Sequence, residues 1–185
     1  MLRQMKAKVF AVILGTALAF QQLAKASSRA EVVDSRVMMR AGQLVSEVTL
    51  RLAPSEGRNS AALGIDATVR NSSRTTEAPK IYTNDLGTII GFNASTGRGS
   101  YNINLVTLDQ SDRFNITQRL NDKLRNVLKA GNLKSDFPDD GLYLSKIRGR
   151  IITIEYRSDN AKTFFSADLE VTAEGGVKLL AVHEN

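Results

Sequence analysis

Residues 151–182 read IITIEYRSDNAKTFFSADLEVTAEGGVKLLAV. Ile151–Arg157, Lys162–Thr172 and Val177–Val182 are strand segments. Ser158-Asp159-Asn160 and Glu174-Gly175-Gly176 are the turns between them. In the middle segment Thr163, Phe165, Ala167, Leu169 and Val171 fall on one face. Ser166, Asp168, Glu170 and Thr172 fall on the other. Side chains alternate across a strand, so this is a half-buried strand of an antiparallel meander with one wet side.

The dry side needs a cover, and residues 115–130 offer one. Ile116, Leu120, Leu124, Val127 and Leu128 are spaced as one apolar stripe on a helix. Asn115 suits the N-cap, with Gln118 three residues on. Lys129 suits the C-terminal end of the dipole, and Gly131 the left-handed stop.

Upstream, Ala62–Val69, Ile81–Tyr82, Thr88–Phe92 and Tyr101–Leu108 read as strands. Residues 54–60, 71–79 and 95–100 read as loops or turns, and Asn84-Asp85 as a turn. Residues 27–53 carry two patterns. Val33, Val37, Ala41, Leu44, Val45 and Val48 fit a helix, whereas Val48, Leu50 and Leu52 alternate. The expectation is a helix or extended arm, then a strand from about Leu44 to Leu52. Ala41-Gly42-Gln43 as a turn between two strands is the alternative.

The first 26 residues form a secretory pattern. Arg3, Lys6 and Lys8 precede the uncharged run Val9–Phe20, and Ala24-Lys25-Ala26 ends it with small residues. The run is shorter than the about 20 residues a spanning helix needs. Cleavage after Ala26 is expected, with a retained, buried apolar helix as the alternative. The fold class expected is thus α+β: an antiparallel sheet of about five to seven strands, the 115–130 helix packed on one face, and an apolar N-terminal helix before it. Residues 1–26 are the leader or retained helix. Residues 27–185 are a single exported domain, with 27–53 as a candidate N-terminal arm.

The chain carries 25 Lys+Arg, 19 Asp+Glu and a net charge of +6. Residues 1–26 hold four of the bases and no acid, which leaves 21 bases against 19 acids beyond them. Nucleic-acid binders concentrate basic charge to displace counterions from phosphates, and this near-balance does not suggest one. There is no cysteine, so thiol catalysis, iron–sulfur clusters and thiolate zinc sites are excluded.

Each motif that suggests chemistry has a plainer reading. Five residues separate Gly91 from Gly97, where a phosphate loop has four, and Arg98 stands where its Lys would be. A hairpin turn accounts for them. Asp136, Asp139 and Asp140 lack the ligand ladder of a calcium loop, and Pro138–Gly141 suits a type I turn. His183 is the only histidine and lies two residues from the end. Ser145 and Lys146 are strand neighbours that point to opposite faces. Asp168, Glu170 and Glu155 are ordinary acids of a solvated sheet face. Asn71, Asn93 and Asn115 begin glycosylation triplets.

Lys146, Arg148 and Arg150 alternate on one strand face, with Arg157 beyond the next bend. They form the expected contact for an anionic partner, with a charge-guarded sheet edge as the competing account. No catalytic, cofactor or metal residue is expected. The functional expectation is an exported, periplasmic or secreted bacterial protein without enzymatic activity, binding a protein or envelope component or building part of an assembly. A self-assembling coat or pilus-like subunit that retains its N-terminal helix is one alternative. A carboxylate-based hydrolase of envelope polysaccharide is the other. Membrane contact is expected only through residues 1–26 if they are retained. Homo-oligomerisation fits the assembly readings.

Overall fold

The three C-terminal strands form as their alternation predicts. Phe165, Ala167, Leu169 and Val171 are buried, while Ser166, Asp168 and Glu170 face outward. The structure, a computed structural model, describes residues 28–53, 66–97, 99–130, 141–157, 163–172 and 175–184. Among these, the chain order is β1 (Arg29–Arg40), β2 (Gln43–Ala53), β3 (Asp66–Ser72), β4 (Lys80–Thr83), β5 (Ile89–Gly97), β6 (Ser100–Leu108), β7 (Phe114–Thr117), α1 (Leu120–Ala130), β8 (Leu142–Arg148), β9 (Ile151–Arg157), β10 (Thr163–Val171) and β11 (Val177–Glu184).

These strands build three antiparallel meanders, ordered β1-β2-β3, β4-β5-β6-β7 and β11-β10-β9-β8. The expected α+β fold with one sheet of five to seven strands is therefore wrong. The architecture is mostly β, with one short helix among the described residues. The apolar N-terminal helix, the cleavage site and the acidic turn 134–141 up to residue 140 lie outside the described residues.

The sheet β4–β7 is the middle layer. Ile90, Phe92 and Val106 on one face pack with Ala30, Val48, Leu50 and Val69 of β1–β3. Ile89, Ile103 and Leu105 on the other pack with α1 and with β8–β10. The single-sheet expectation failed because β5 is buried on both faces without reading as a buried strand. It runs Ile-Ile-Gly-Phe-Asn-Ala-Ser-Thr-Gly, and its small and amide residues take the place of the Val/Ile/Leu run such a strand usually shows.

The helix reading at the start of residues 27–53 is also corrected. β1 pairs with β2 from Arg29↔Ala53 to Arg40↔Gln43. The alternative reading of a turn at Ala41-Gly42 holds. Both residues take positive φ, +48° and +79°, the conformation that lets a two-residue loop follow the strand twist.

The helix begins five residues late. Residues 114–117 are β7, where Ile116 pairs with Val106 and Asn115 with Thr107. Asn115 is therefore not an N-cap. Arg119 at φ +50° makes the break, and no glycine marks it. Leu120, Leu124 and Leu128 remain one buried stripe against the larger core. Ile116, which shares their spacing, is 40% exposed.

The two residues separate cleanly by experiment. Leu124→Ala should cost about 2–5 kcal/mol in urea unfolding, because it empties a packed site. Ile116→Ala should cost less than about 1 kcal/mol, the span of strand preference at an exposed position. Equal costs would return Ile116 to the helix stripe.

Candidate functional site

β8 is an edge strand, and its free backbone must find partners or water. It rests on the middle sheet. Asn93 of β5 donates from Nδ2 to the Leu144 carbonyl at 2.8 Å, and its Oδ1 accepts from the Leu144 N–H at 2.9 Å. Asn93 is 2% exposed. Its amide is engaged and cannot act as a glycosylation acceptor in this fold. Gly91, two residues earlier on the same face, lets the strand come down. A Cβ there would run into the Leu144 side chain and lie 3.1 Å from Ile147 Cδ1. Gly91 is thus a strand residue, not part of a phosphate loop. The hairpin lies further on, where Gly97 and Gly99 take positive φ.

Docking β8 this way brings together residues far apart in sequence. Lys80 and Tyr82 lie on β4, Tyr101 on β6, Tyr143 on β8 and Arg157 at the end of β9. The Tyr82 and Tyr143 hydroxyls are 2.8 Å apart. Tyr143 meets Tyr101 edge-on at 5.1 Å and Tyr82 at 6.5 Å between ring centres. Lys80 Nζ lies 5.6 and 5.7 Å from the Tyr82 and Tyr143 ring centres. Arg157 Cζ lies 4.3 Å from the Tyr143 ring centre, and Glu155 holds that guanidinium through Nε at 2.8 Å and Nη2 at 2.6 Å. Cations over ring faces are attracted by the ring quadrupole.

The cluster's protonation follows from these contacts. Hydrogen bonding to Tyr143 and then Tyr82 raises the Lys80 pKa, so it stays an ammonium far into the alkaline range. Burial and the bond to Tyr143 raise the Tyr82 pKa, against the opposing effect of Lys80. Tyr82 keeps its proton at neutral pH. Lys80 is exposed, Tyr82 and Tyr101 are half-buried, and Tyr143 is buried. Sequence reading passed over this cluster. Its only trace was the alternation of Lys80 with Tyr82 and of Tyr101 with Ile103.

The expected stripe is two-thirds present. Tyr143, Lys146 and Arg148 sit opposite Glu155, Thr153 and Ile151, on the outer face of the sheet. Lys146 and Arg148 are exposed and form no ion pair with a described residue. Arg150 does not join them. It lies in the β8–β9 turn, and its Nε and Nη2 donate to the Val171 carbonyl at 2.9 and 2.6 Å. Val171 N–H returns a bond to the Arg150 carbonyl at 2.8 Å. Arg150 clamps the end of β10.

The acids and the histidine meet on the same outer face. Thr153 Oγ1 donates to Asp168 at 2.7 Å, and His183 Nε2 lies 3.3 Å from its other oxygen. The carboxylate stands between hydroxyl and imidazole. A nucleophilic triad needs the imidazole in that middle place. Glu155 is engaged by Arg157. Among the described residues no group of three His, Cys, Asp or Glu is placed to hold a metal. Asp136, Asp139 and Asp140 lie outside them.

A second charged cluster sits on the outer face of β1–β3. Glu47 faces Arg36 across β1 and Arg70 across β3. It accepts from Arg70 at 2.7 Å, Arg40 at 3.0 Å and Arg36 at 3.2 Å. Its side chain is 4% exposed while the arginines are about half exposed. Guanidinium groups cover it, not the core. No protein-family model, curated protein or solved structure matches this chain.

Glu47 gives the pH response. The Arg70 hydrogen bond, with Arg36 and the charges of Arg40 and Arg70, lowers its pKa against the effect of burial. A lowered folded pKa adds stability above the unfolded glutamate pKa of about 4.3, lost as pH falls through the folded value. Glu47→Gln should therefore cost about 1 kcal/mol at neutral pH, the scale of water-screened pairs. Acidification below that window should erase the difference between variant and parent in thermal melts. A difference unchanged by acid would mean the carboxylate charge is not what stabilises.

Proposed function

We propose that the protein is an exported, non-enzymatic binding or assembly component of the cell envelope, and that an anionic partner meets it along the outer face of β8. One observation carries this reading. Lys146 and Arg148 stand exposed and unpaired by described residues on an edge strand. A charged edge also discourages sheet-to-sheet aggregation. What favours a contact is that the basic row continues through Tyr143 to Arg157 and Lys80, both seated on aromatic rings. Edge protection has no use for cations fixed in place.

The export part rests on Arg3, Lys6 and Lys8, the run Val9–Phe20 and Ala24-Lys25-Ala26. Among the described residues no helix is long and apolar enough to cross a membrane. On this reading any helical anchoring falls to residues 1–26. Self-assembly has its own support. β1 is a 12-residue edge strand with Val33 and Met39 exposed at 42% and 64%. Free strand edges are templates for pairing with another chain. A single monomeric mass in light scattering of the full chain would end that second reading.

The binding reading is tested with polygalacturonate, polyphosphate and phosphatidylglycerol vesicles as anionic probes. Lys146→Gln combined with Arg148→Gln should weaken binding of the probe the parent takes by about tenfold, two exposed charges being worth about 1.4 kcal/mol together. The same binding should weaken from low to physiological salt. The melting temperature should stay put. Binding by the double variant equal to the parent's would remove β8 as the contact.

A further inference from the structure

We propose that the cluster Lys80, Tyr82, Tyr101, Tyr143 and Arg157 is a saccharide subsite, and that the ligand along β8 is an acidic polysaccharide of the polyuronate class. The inference rests on the reading that the β8 face binds an anion, and it names which anion. A phosphate-rich chain or an anionic lipid surface needs only cations. Here five side chains from four strands present something else. Two tyrosine hydroxyls are bonded to each other at 2.8 Å beside an ammonium. Each phenol oxygen both donates and accepts, as a sugar hydroxyl does. Tyr101 and Tyr82 are half-buried, and a pyranose ring would lay its apolar C–H face on the part they leave to solvent. Aromatic groups contribute contact area while their polar tips stay wet.

The charges favour an anionic sugar over a neutral one. Arg157 is the only base of the cluster that carries its own carboxylate, Glu155, whose bond fixes the guanidinium over Tyr143. Lys80 is exposed and forms no ion pair with a described residue. Further along the same face come Lys146 and Arg148, two positions apart and so roughly 7 Å along the strand. A polymer bearing a carboxylate on every unit meets Lys80 at the aromatic end and Lys146 and Arg148 beyond it. The rings are already packed and the Arg157 head already held, so little side-chain freedom is lost on binding.

The test uses the full chain and an oligogalacturonate, its methyl-esterified neutral form, polyphosphate and phosphatidylglycerol vesicles. The chain has four tyrosines and no tryptophan. Three of the four lie in the cluster, so tyrosine fluorescence reports on this place. The oligogalacturonate should bind and change that emission, and the methyl ester should bind at least several-fold more weakly. Lys80→Gln and Tyr82→Phe, which remove an exposed charge and one hydroxyl, should each weaken oligogalacturonate binding several-fold, and Tyr82→Phe, which removes no charge, should leave polyphosphate or vesicle binding as it was. Tyr101→Ala should weaken oligogalacturonate binding likewise, whereas Tyr101→Phe, which keeps the ring, should bind it as the parent does. Binding of polyphosphate or vesicles but not the oligosaccharide would overturn the saccharide subsite and leave the anionic contact standing. Oligosaccharide binding unmoved by Lys80→Gln and Tyr82→Phe, but lost with Lys146 and Arg148, would do the same. No binding of any probe would overturn both.

Discussion

One side-chain amide sets how two of the three sheets stack. Asn93 meets Leu144 through both its amide groups, and so an edge strand finds its missing partner on the face of another sheet. Such a bond contributes about 1 kcal/mol net, but an unpaired buried amide costs about 1–3 kcal/mol. The amide therefore specifies the docking more than it strengthens it. Its neighbours complete the requirement. Gly91 leaves room for Leu144 and Ile147, while Phe92, between Gly91 and Asn93 in sequence, points to the opposite core with Val48, Leu50 and Val69. Three consecutive residues of β5 serve two interfaces. The placing of Tyr143 over Tyr82 and Tyr101 follows from that docking.

The same device recurs where other strands run out of partners. β7 pairs with β6 only from Leu105 to Leu108. Asn121 on α1 takes over beyond it. It accepts from the Ile103 N–H at 2.8 Å and donates to the Tyr101 carbonyl at 3.0 Å. Asn84 accepts from the N–H groups of Thr88 and Ile89 and donates to Thr88 Oγ1 and the Gly149 carbonyl. That ties the β4–β5 turn to the β8–β9 turn. Amides suit these joints because each offers a donor and an acceptor in one plane, the pattern a strand presents.

The sequence made β9 and β10 legible, because one face of that sheet is wet and their alternation survives, whereas in β11 it is interrupted at Leu180. It made the stripe of α1 legible but not its start. Ile116 fits the helical period by position while it lies in a strand, and Arg119 breaks the chain without a glycine to signal it. The middle layer was illegible for a different reason. A strand buried on both faces shows no alternation, and β5 fills its layer with Gly, Asn, Ala and Ser that read as turn residues. Bulges hide facing as well. The register slips between Val32 and Asp34, Leu144 and Lys146, and Asp168 and Leu169. Each slip changes which side a residue faces, so a period-two stripe read from sequence holds only between bulges. Lys146 and Arg148 lie on one such stretch, whereas Arg150 lies past its end in the turn. The tyrosine cluster spans residues 80 to 157, and only the stacking of sheets joins it.

The near-balance of charge beyond residue 26 conceals an uneven arrangement. On the outer face of β1–β3, Arg29, Arg36, Arg40 and Arg70 are each consumed by Glu31, Asp34 or Glu47. On β8 and its neighbours the bases are placed otherwise. Lys146 and Arg148 lack a described acid, and Lys80 lies against phenols. Arg157 shares a carboxylate but keeps one ring beneath it. Total charge thus says little about where an anion would settle. What matters is which cations remain unpaired and how firmly they are held. A lysine free in water loses rotamer freedom when it binds, whereas a cation resting on a ring has lost part of it on folding. On the proposed reading, what would favour β8 over the sheet β1–β3 for an anion is prior order as much as sign. The docking of Leu144 on Asn93 contributes to that order, because it brings the Tyr143 ring within reach of both Lys80 and Arg157.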